Sequence, residues 1–383
     1  MANNNDKKVL NVPALRFPEF TGEWENITIR EACSEFQSGK NIKAEMINDQ
    51  GLYPVYGGNG LRGFTGSYNH DGDYILIGRQ GALCGNVRKV TGKTYVTEHA
   101  IAVCASKEHE TTFLQHLFQK MRLGQYSDQS AQPGLAVNKL LRLNINVPSK
   151  IEQGKIAKIL SLIDERITTQ NKIIEDLKKL KSAIVEMLLC NQSGESFKLG
   201  DVGCYVRGLT YANEDVTENK AATIVIRANN LNYGSHVDKR EVVYVNKTPT
   251  VSQILRKGDI VICMANGSST LVGKNSYYPF NDRQSTIGAF CGIYRTSNPL
   301  VKWLMQSQRY KRQVYQSLQG GNGAIANLNG DDILNMSFPL IEKEKSQSII
   351  FTIEAIEKSL VANKYIHRLY YTQKSYLLKQ MFI

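Results

Sequence analysis

The sequence predicts an α+β protein in which two similar globular domains are joined by two long helices that pair antiparallel as a coiled coil. Three observations lead to this prediction. The chain of 383 residues repeats itself with a shift of about half its length, two long segments carry helical periodicity, and the other segments are short β-branched runs between Gly, Asn and Asp turns. A repeat of whole domains gives the molecule an internal pseudo-twofold relation.

The internal repeat is visible in two pairs of runs. "HDGDYILIGRQGALCGNVRKV" from His70 has a counterpart in "RKGDIVICMANGSSTLVGKNS" from Arg256, and "QPGLAVNKLLRLNINVPSKIEQGKIAKIL" is echoed by "GGNGAIANLNGDDILNMSFPLIEKEKSQSII". A period this long excludes a solenoid, whose units have about 20 to 50 residues. Four anchor pairs differ by 186, 189, 191 and 193 positions, as small loop insertions produce: Asp73/Asp259, Asn138/Asn327, Pro148/Pro339 and Lys181-Ser182/Lys374-Ser375.

The repeat divides the chain into five segments. They are an N-terminal arm over 1–21, a first domain over 22–148, a first long helix over 149–193, a second domain over 194–340 and a second long helix over 341–383. Each domain is long enough to bury its own core.

Within the domains, "DYILIG" and "DIVICM" are predicted strands because they are rich in β-branched residues and flanked by glycine. "TTFLQHLFQKM" and "LVKWLMQSQRYKRQVY" are the predicted amphipathic helices, one late in each domain. Strands followed by a single helix are typical of an α+β domain, in contrast to alternating βαβ units.

The first long helix starts after Pro148 and contains one glycine, Gly154, up to about Leu189. Ser149 followed by Glu152 predicts a capping box. About forty residues at roughly 1.5 Å each give a helix of roughly 60 Å, far longer than a globular domain needs. Its apolar residues form a coiled-coil seam with a gap filled by Gln170: Ile156, Ile159, Ile163, Ile167, Ile174, Leu177, Leu180, Ile184 and Leu188.

The second long helix starts after Pro339, and its stripe is interrupted at Asn363 and Gln373. Neither stripe is stable alone in water, so each is predicted to pack on the other, and two independent surface helices are the alternative. The predicted stripe consists of Ile349, Ile353, Ile356, Leu360, Ile366, Leu369, Tyr376 and Leu377.

The bulk composition bounds the class of protein. The formal net charge is +12 and no single tail carries the excess, which favours a nucleic acid bound through individually placed cations. The seven cysteines lie singly, without a CxxC pair or histidines at ligand spacing, which argues against a structural zinc and for reduced thiols. No apolar run is long enough to span a membrane and the N-terminus lacks a signal-peptide core, so we expect a cytoplasmic protein with no membrane contact.

Several enzyme signatures are mimicked without their context. Gly58, Gly60 and Gly63 have the spacing of a dinucleotide-binding loop, but "FTGSYNHDG" follows where a helix should begin. "TGKT" from Thr91 resembles the end of a phosphate-binding loop, but the position of its first glycine holds Val87. We therefore predict no catalytic residue and no metal ligand in this chain.

The Gly- and Asn-rich loops offer backbone amides and short polar side chains that can approach a phosphate or a base edge closely. An ordinary turn residue is the alternative at each position. The candidate contacts with double-stranded DNA are Tyr56, Asn59, Arg62, Tyr68, Arg79 and Gln80 in the first domain, and Arg227, Asn229, Asn230, Asn266, Ser268, Lys274 and Arg283 in the second.

Several runs resemble the specificity subunit of type I restriction-modification systems. The resemblance rests on "YPVYGGNGLRGF", "ILIGRQGALCGNV", "TEHAIAV" and above all "VPSKIEQGKIAKILSLIDERI", and it covers nearly the whole chain. It implies two target recognition domains, each of which reads one half of a split DNA sequence. It also implies that the paired helices hold these domains apart and dock methyltransferase subunits.

The resemblance assigns further roles. Two methyltransferase subunits and the restriction and translocase subunits are the implied partners; they would use S-adenosylmethionine, ATP and magnesium, while this chain binds no cofactor. The second copy of the most specific run is degraded to "PLIEKEKSQSIIFTIEAI". The docking residues are therefore assigned to the first helix: Glu152, Gln153, Ile156, Ile159, Leu160 and Asp164.

Two other classes of function stay open from the residues alone, namely a DNA-modifying enzyme with an unrecognised site and a coiled-coil adaptor that binds only proteins. "GGNGLRG" has no clear counterpart in the second domain, so the two half-sites are expected to differ. Two readers in successive major grooves lie about 34 to 36 Å apart, and the helix pair is expected to act as a ruler for the unread gap.

Overall fold

The structure of the chain, a computed structural model, describes residues 11–128, 134–282, 284–318 and 326–383. The chain divides into two compact units, and each unit contains part of both long helices. Unit 1 consists of Met1–Lys172 and Lys364–Ile383, and unit 2 consists of Ile173–Asn363. This division differs from the linear one that we predicted, because each domain is packed on the nearer halves of the two helices.

Unit 1 is a mixed α/β unit whose central sheet has the strand order β2-β8-β5-β6 and is antiparallel throughout. A second sheet has the order β4-β3-β7, and β1 pairs with β9. The strands are β1 (Glu25–Thr28), β2 (Cys33–Ser38), β3 (Tyr53–Gly57), β4 (Gly60–Thr65), β5 (Asp73–Gly78), β6 (Val87–Thr91), β7 (Tyr95–Val96), β8 (Ala100–Ala105) and β9 (Asn144–Val147). The helices that begin in this unit are α1 (Ile29–Ala32), α2 (Thr111–Met121), α3 (Val137–Leu140) and α4 (Lys150–Val185).

Unit 2 repeats this arrangement with the sheets β11-β19-β15-β17, β12-β14-β13-β18, β10-β21 and β16-β20. Its strands are β10 (Ser196–Lys198), β11 (Gly203–Arg207), β12 (Val216–Thr217), β13 (Thr223–Ile226), β14 (Val243–Val245), β15 (Ile260–Cys263), β16 (Ala265–Asn266), β17 (Asn275–Tyr277), β18 (Ser285–Ile287), β19 (Cys291–Thr296), β20 (Ala326–Asn327) and β21 (Ser337–Pro339). Its helices are α5 (Leu199–Val202), α6 (Val301–Leu304), α7 (Gln308–Leu318), α8 (Gly330–Leu334) and α9 (Lys343–Gln380), and a turn of π-helix, Glu186–Cys190, follows α4.

Each unit has its own core, in which the central sheet packs against the amphipathic helix and the long helices. In unit 1 the rings of Trp24, Phe113 and Phe382 form an aromatic cluster, with centroids of Phe113 and Phe382 5.2 Å apart. In unit 2 Trp303 and Tyr310 are fully buried in the core. Burial of such large apolar surfaces is the main stabilising contribution in each unit.

One helix prediction is wrong in its extent. "LVKWLMQSQRYKRQVY" forms α6 and α7 with a break between them, not a single helix. The break falls at Ser307, whose hydroxyl accepts a hydrogen bond from the backbone N–H of Tyr310 at 3.1 Å and donates one to the carbonyl of Leu304 at 2.6 Å. Serine at a helix start caps the first free amides, so Ser307 ends one helix and begins the next.

Equivalent backbone hydrogen bonds occur within each unit, and they show which residues of the two units correspond. The N–H of Arg79 donates to the carbonyl of His99 at 2.9 Å, and the N–H of Met264 donates to that of Phe290 at 2.8 Å. Thr97 N–H donates to Tyr56 and Gly288 N–H to Ile226 in the same way. These correspondences differ from three of the four anchor pairs that the sequence suggested. Asp259 corresponds to Tyr74, Asn327 corresponds to Gly134, and Pro339 corresponds to Asn146.

The long helices bury a stripe that differs from the predicted one. Leu180, Ile366, Leu369 and Tyr376 were expected in it, but they are 49, 38, 48 and 58% exposed. Buried and half-buried positions instead alternate in steps of four and three and pass through polar residues. In α4 these are Ile156, Leu160, Ile163, Ile167, Gln170, Ile174, Leu177 and Lys181, and in α9 they are Ile349, Ile353, Ile356, Leu360, Asn363, His367, Tyr370, Lys374 and Leu377, followed by Met381.

All seven cysteines are free thiols, of which Cys190, Cys263 and Cys291 are buried and Cys204 is exposed. Burial raises the pKa of Cys33 and of Cys291 to about 12, so both stay protonated at neutral pH. Within the described ranges, no helix is long and apolar enough to cross a membrane.

Candidate nucleic-acid interface

Three chain segments of unit 1 meet at one end of its sheets, at the turn between β3 and β4, the loop between β5 and β6, and residues 97–99 before β8. The backbone of Gly58 in the turn lies so close to these segments that a Cβ there would be 2.8 Å from the carbonyl oxygen of His99. Only glycine allows this approach without displacing the neighbouring backbone. We call this end of unit 1, made of residues 57–62, 79–88 and 97–99, the first loop face.

Polar side chains are fixed on the first loop face by local contacts. The imidazole Nδ1 of His99 lies 3.0 Å from Oε1 of Gln80, and Nη1 of Arg79 lies 3.5 Å from the carbonyl of Glu98. The guanidinium of Arg88 packs against the backbone of the Gly60 turn. Two arginines, an amide and an imidazole therefore point from one surface, and these groups suit hydrogen bonding to phosphates and guanine or adenine edges.

The structure brings together four of the six contacts predicted in the first domain. Asn59 is exposed on the turn and Arg62 is exposed near the start of β4, and Gln80 and half-buried Arg79 follow β5 on the first loop face. Arg88 and His99 belong to the same face and were missed by the sequence reasoning. His99 lies inside the run "TEHAIAV", but a single histidine after an acid carries no position signal of its own.

The two predicted tyrosines are not part of this face. Tyr56 is half-buried in β3, where its carbonyl accepts the N–H of Thr97. The Tyr68 ring lies 5.0 Å from that of Tyr53, which begins β3, and the ammonium of Lys93 lies 4.8 Å above it. Tyr68 therefore sits at the opposite end of the strand from the first loop face, and its contact with DNA stays a prediction.

Unit 2 has an equivalent surface, which we call the second loop face and which consists of residues 227–229, 264–274 and 288–290. Hydrogen bonds from Met264 to Phe290 and from Gly288 to Ile226 bring these segments together. Arg227 is exposed there, and Phe290 is 67% exposed although it is a large apolar side chain. Phe290 was missed by the sequence reasoning, and an exposed aromatic ring is suited to contact a base or a thymine methyl group.

The contacts predicted in the second domain divide into surface and interior residues. Arg227, Asn229 and Ser268 are exposed, Asn266 and Lys274 are half-buried in the loop from 264 to 274, and Arg283 lies outside the described residues. Asn266 accepts the N–H of Ser268 at 3.0 Å, so part of its hydrogen-bonding capacity shapes this loop.

Asn230 is an interior residue, and its prediction as a DNA contact is wrong. It is 2% exposed. Its Oδ1 accepts the N–H of Arg227 at 2.8 Å, and its Nδ2 donates to the carbonyls of Asp238 and Glu241 at 3.0 and 2.7 Å. All these bonds hold the loop after β13, so Asn230 positions Arg227 but does not face solvent.

The two loop faces carry different side chains on one backbone frame. The equivalent hydrogen bonds place Met264 where unit 1 has Arg79, Ala265 where it has Gln80, and Phe290 where it has His99. Conversely, Arg227 of unit 2 takes the place of Gly57. A polar, cationic surface in one unit is thus matched by a more apolar one with a displaced arginine in the other.

The residues assigned to partner docking are used inside unit 1. Glu152 is 1% exposed and Gln153 is fully buried. Both carboxylate oxygens of Glu152 accept hydrogen bonds from Arg16 at 2.8 Å, so Glu152 does not complete the predicted capping box with Ser149. Ile156 and Leu160 are buried as well and are not available to a second protein, whereas Ile159 is half-buried and keeps part of its side chain at the surface.

Gln153 joins three elements of unit 1. Its amide donates to the carbonyl of Pro148 at 2.9 Å and lies 3.0 Å from Nδ1 of His109, while its Oε1 accepts the N–H of Glu110 at 3.0 Å. Burial lowers the pKa of His109, so the imidazole is neutral at neutral pH. Within the part of the chain that the structure describes, no group of three or more His, Cys, Asp or Glu side chains could hold a metal ion.

Parts of the chain are similar in sequence to specificity subunits of type I restriction enzymes. Residues 21–179 match the family model for the type I restriction modification DNA specificity domain. The chain is 41% identical over 173 residues to the Escherichia coli type I restriction enzyme EcoprrI specificity subunit, covering 44% of this chain and 42% of that protein. It is 30% identical over 150 residues to the EcoKI specificity subunit of Escherichia coli strain K12, covering 37% and 31%. The chain thus matches less than half the length of these two relatives.

Longer matches are more distant. A putative type I restriction enzyme specificity subunit of Haemophilus influenzae is 22% identical over 371 residues, or 88% of this chain and 89% of that protein. The crystal structure of a type I restriction-modification S subunit from M. genitalium superposes with a TM-score of 0.64 at 17% identity, covering 97% of this chain and 99% of that one. A chain from a structural study of type I system complex assembly gives a TM-score of 0.54 at 13% identity, covering 94% and 97%. The shared fold therefore extends over nearly the whole chain.

Proposed function

We infer that this chain is a specificity subunit of type I restriction-modification systems and that it reads a bipartite and asymmetric DNA sequence with one loop face for each half-site. The observation that carries the inference is the repeated backbone frame with unlike side chains. The frame holds Arg79, Gln80 and His99 in unit 1 and Met264, Ala265 and Phe290 in unit 2. Equal frames give both domains the same approach to a DNA groove, while different side chains read different bases.

Further support comes from the polar contacts within each face. Arginine is the commonest reader of guanine, and a side chain held by local hydrogen bonds loses less entropy when it binds. On the first loop face, Gln80 and His99 are already joined before DNA arrives. On the second, Asn230 fixes the backbone of Arg227 from below.

We propose that the two long helices form an antiparallel coiled coil that sets the DNA spacer. In unit 1 the ammonium of Lys374 contacts Asp164, and in unit 2 that of Lys181 contacts Glu357. The separation between Asp164 and Lys181 on α4 equals the separation between Glu357 and Lys374 on α9. One antiparallel register accounts for both contacts, with residues at alternating steps of four and three facing each other.

We also propose that methyltransferase subunits dock on the exposed sides of the long helices and supply the catalysis. Large apolar side chains are exposed there, which is typical of surfaces that bind another protein: Leu162, Ile173, Phe351, Val361 and Tyr365. The chain itself would transfer no methyl group. S-adenosylmethionine, ATP and magnesium would bind to the partner subunits.

The test is methylation by the reconstituted complex. The chain is co-expressed with the methyltransferase subunit encoded with it, and the complex is incubated with DNA and labelled S-adenosylmethionine. Sequence-specific methylation by the complex, and none by the chain alone, is the expected result. Methyl transfer by the chain alone would identify an enzyme, and DNA affinity that does not depend on sequence or salt would contradict the proposal.

A further inference from the structure

Four side chains of unit 1 form a polar cluster where α2 meets the two long helices. The ammonium of Lys374 lies 2.6 and 2.9 Å from the two carboxylate oxygens of Asp164 and donates to Oε1 of Gln119 at 3.0 Å. Nδ1 of His116 lies 4.0 Å from the same carboxylate. We call these four residues the first clamp.

Unit 2 contains the same cluster built from different residues. The ammonium of Lys181 lies 2.6 Å from Oε1 of Glu357 and donates to Oε1 of Gln306 at 2.8 Å. The indole Nε1 of Trp303 donates to Oε1 of Glu357 at 3.0 Å. We call these four residues the second clamp.

The two clamps are equivalent under the internal repeat. Lys181 and Lys374 differ by 193 positions, as do Asp164 and Glu357, while Gln119 and Gln306 differ by 187, as do His116 and Trp303. In each unit a lysine from one long helix therefore meets an acid from the other and a glutamine of the globular domain, which lies in α2 in unit 1 and in the turn after α6 in unit 2. The repeat Lys181-Ser182/Lys374-Ser375 in the sequence marks this arrangement.

Each clamp joins three elements through one ammonium that is largely buried. The side chains of Lys374 and Lys181 are 14% and 13% exposed. A charge in such a place is costly unless it is paired, so it admits few orientations of the surrounding elements. The neighbouring contacts are apolar, such as those of Leu117 and Leu160 in unit 1, and apolar packing is not directional.

In each clamp the length of the acidic side chain is matched by the size of the aromatic residue beside it. The shorter acid, Asp164, is combined with the imidazole of His116, and the longer acid, Glu357, is combined with the indole of Trp303. The lysine and the glutamine are the same in both. Two sequences thus keep one geometry, which indicates that the orientation itself is what the cluster maintains.

We propose that the clamps are positioning elements that fix the orientation of each recognition domain on the long helices and thereby restrict the DNA spacer to one length. This inference rests on the proposed function and adds a determinant of spacing that lies outside the loop faces. A domain freed from its clamp can turn on the apolar contacts that remain. Its half-site reading stays intact because no clamp residue belongs to a loop face.

The experiment compares methylated sites in cells that carry the chain and its partner subunits in wild-type form and as the variants K374M, K181M and the double variant. Methionine keeps an apolar stem like that of lysine and removes the ammonium, with its charge and its hydrogen bonds. Sites whose spacer is one base pair longer or shorter are expected to gain methylation about tenfold, the ratio that corresponds to about 1.4 kcal/mol. The half-site sequences are expected to stay the same.

A second variant protects the test against misfolding. Combining K374M with D164L removes both charges together and leaves an apolar contact, which preserves folding better than a lone buried charge does. It is expected to melt close to the wild type and still to relax the spacer. K358M, next to Glu357 on an exposed side of α9, is the matched control and is expected to leave the spacer unchanged.

Three results would decide against the clamps as positioning elements. They are an unchanged spacer with uniformly lower methylation in folded variants, altered half-sites in those variants, and the same relaxation in K358M. If the wild-type complex methylates no bipartite sequence, the proposed function fails independently of the clamp variants. A relaxed spacer with unchanged half-sites supports both proposals.

Discussion

The backbone N–H of Arg79 donates to the carbonyl of His99 at 2.9 Å, and this bond joins the two loops from which both side chains extend. Unit 2 has the same bond at 2.8 Å, but between Met264 and Phe290. Under the proposed function, the recurrence of the bond without the recurrence of the side chains would let a duplicated domain read two unlike half-sites. The backbone is common to both units, and the chemistry of each face depends on a few exposed residues.

We predict that R227A weakens binding to the cognate DNA by about 1–3 kcal/mol and relaxes base preference in one half-site only. The guanidinium of Arg227 is exposed on the second loop face, so the loss acts on binding and leaves stability unchanged. Fluorescence anisotropy with DNA duplexes randomised in each half checks this. R240A is the matched control, because Arg240 is an exposed arginine paired with Asp238. Equal loss in both variants would argue for a general charge effect.

We predict that N230A destabilises unit 2 by about 1–3 kcal/mol, because it leaves buried backbone groups unsatisfied. Asn230 bonds to Arg227, Asp238 and Glu241, and none of these bonds is made to solvent. Chemical denaturation measures the change. N229A, at the exposed neighbour, should leave the unfolding free energy unchanged; a larger effect there than in N230A would contradict the assignment of Asn230 to the interior.

Replacing Arg16 by methionine is expected to destabilise unit 1 by about 3–5 kcal/mol, since the buried carboxylate of Glu152 then lacks its cation. The side chains of this pair are 16% and 1% exposed. The control K178M breaks the pair Lys178–Glu175, which is more than half exposed on both sides, and should not shift the melting temperature measurably. Similar melting temperatures for both variants would show that the Arg16 pair is not a structural contact.

The stability of unit 1 should depend on pH through His116. Burial, and then the nearby ammonium of Lys374, lower the pKa of His116 to about 4, whereas an unfolded histidine has a pKa of about 6.5. The folded state resists protonation, so this contribution is complete above the unfolded pKa and is lost as the pH falls from about 6.5 towards 4. Wild type should lose about 2 kcal/mol more than H116Q between pH 7 and pH 5. Urea denaturation at the two pH values checks this.

His99, which is half-buried on the first loop face, provides the matched control for that experiment. H99Q should follow the wild-type pH dependence, because it leaves His116 and the burial of its imidazole in place. A wild-type stability that is flat between pH 7 and pH 5 would mean that His116 is not buried as a neutral group.

How far the sequence predicts the structure depends on the range of the interactions involved. The mixed α/β content, the strand at Asp73–Gly78 and the helix at Thr111–Met121 follow from local composition and periodicity, and all are found. The buried stripe of α9 was misread after Leu360, because a search for apolar residues skips His367 and Lys374. Lys374 is largely buried only because Asp164 and Gln119 pair with its ammonium, which local sequence does not reveal.

The candidate site was likewise predicted only in outline, because part of it depends on contacts between residues that are distant in sequence. Arg62, Arg79 and Gln80 were identified because loops rich in glycine expose their polar residues. Asn230 was misassigned because an asparagine that bonds to backbone groups of a distant loop has the same local sequence as one that faces solvent. His99 and Phe290 were missed because only the fold brings residue 99 beside 79 and residue 290 beside 264.

The central claim is that each loop face reads its own half of one DNA target. Sequencing the methylated positions in a genome that carries the chain with its partners, in wild-type form and as R79A and R227A, tests this most directly. The account predicts two unlike half-sites separated by one constant spacer in the wild type, with R79A relaxing bases in one half and R227A in the other. A single continuous motif, or two variants that alter the same half, would contradict it.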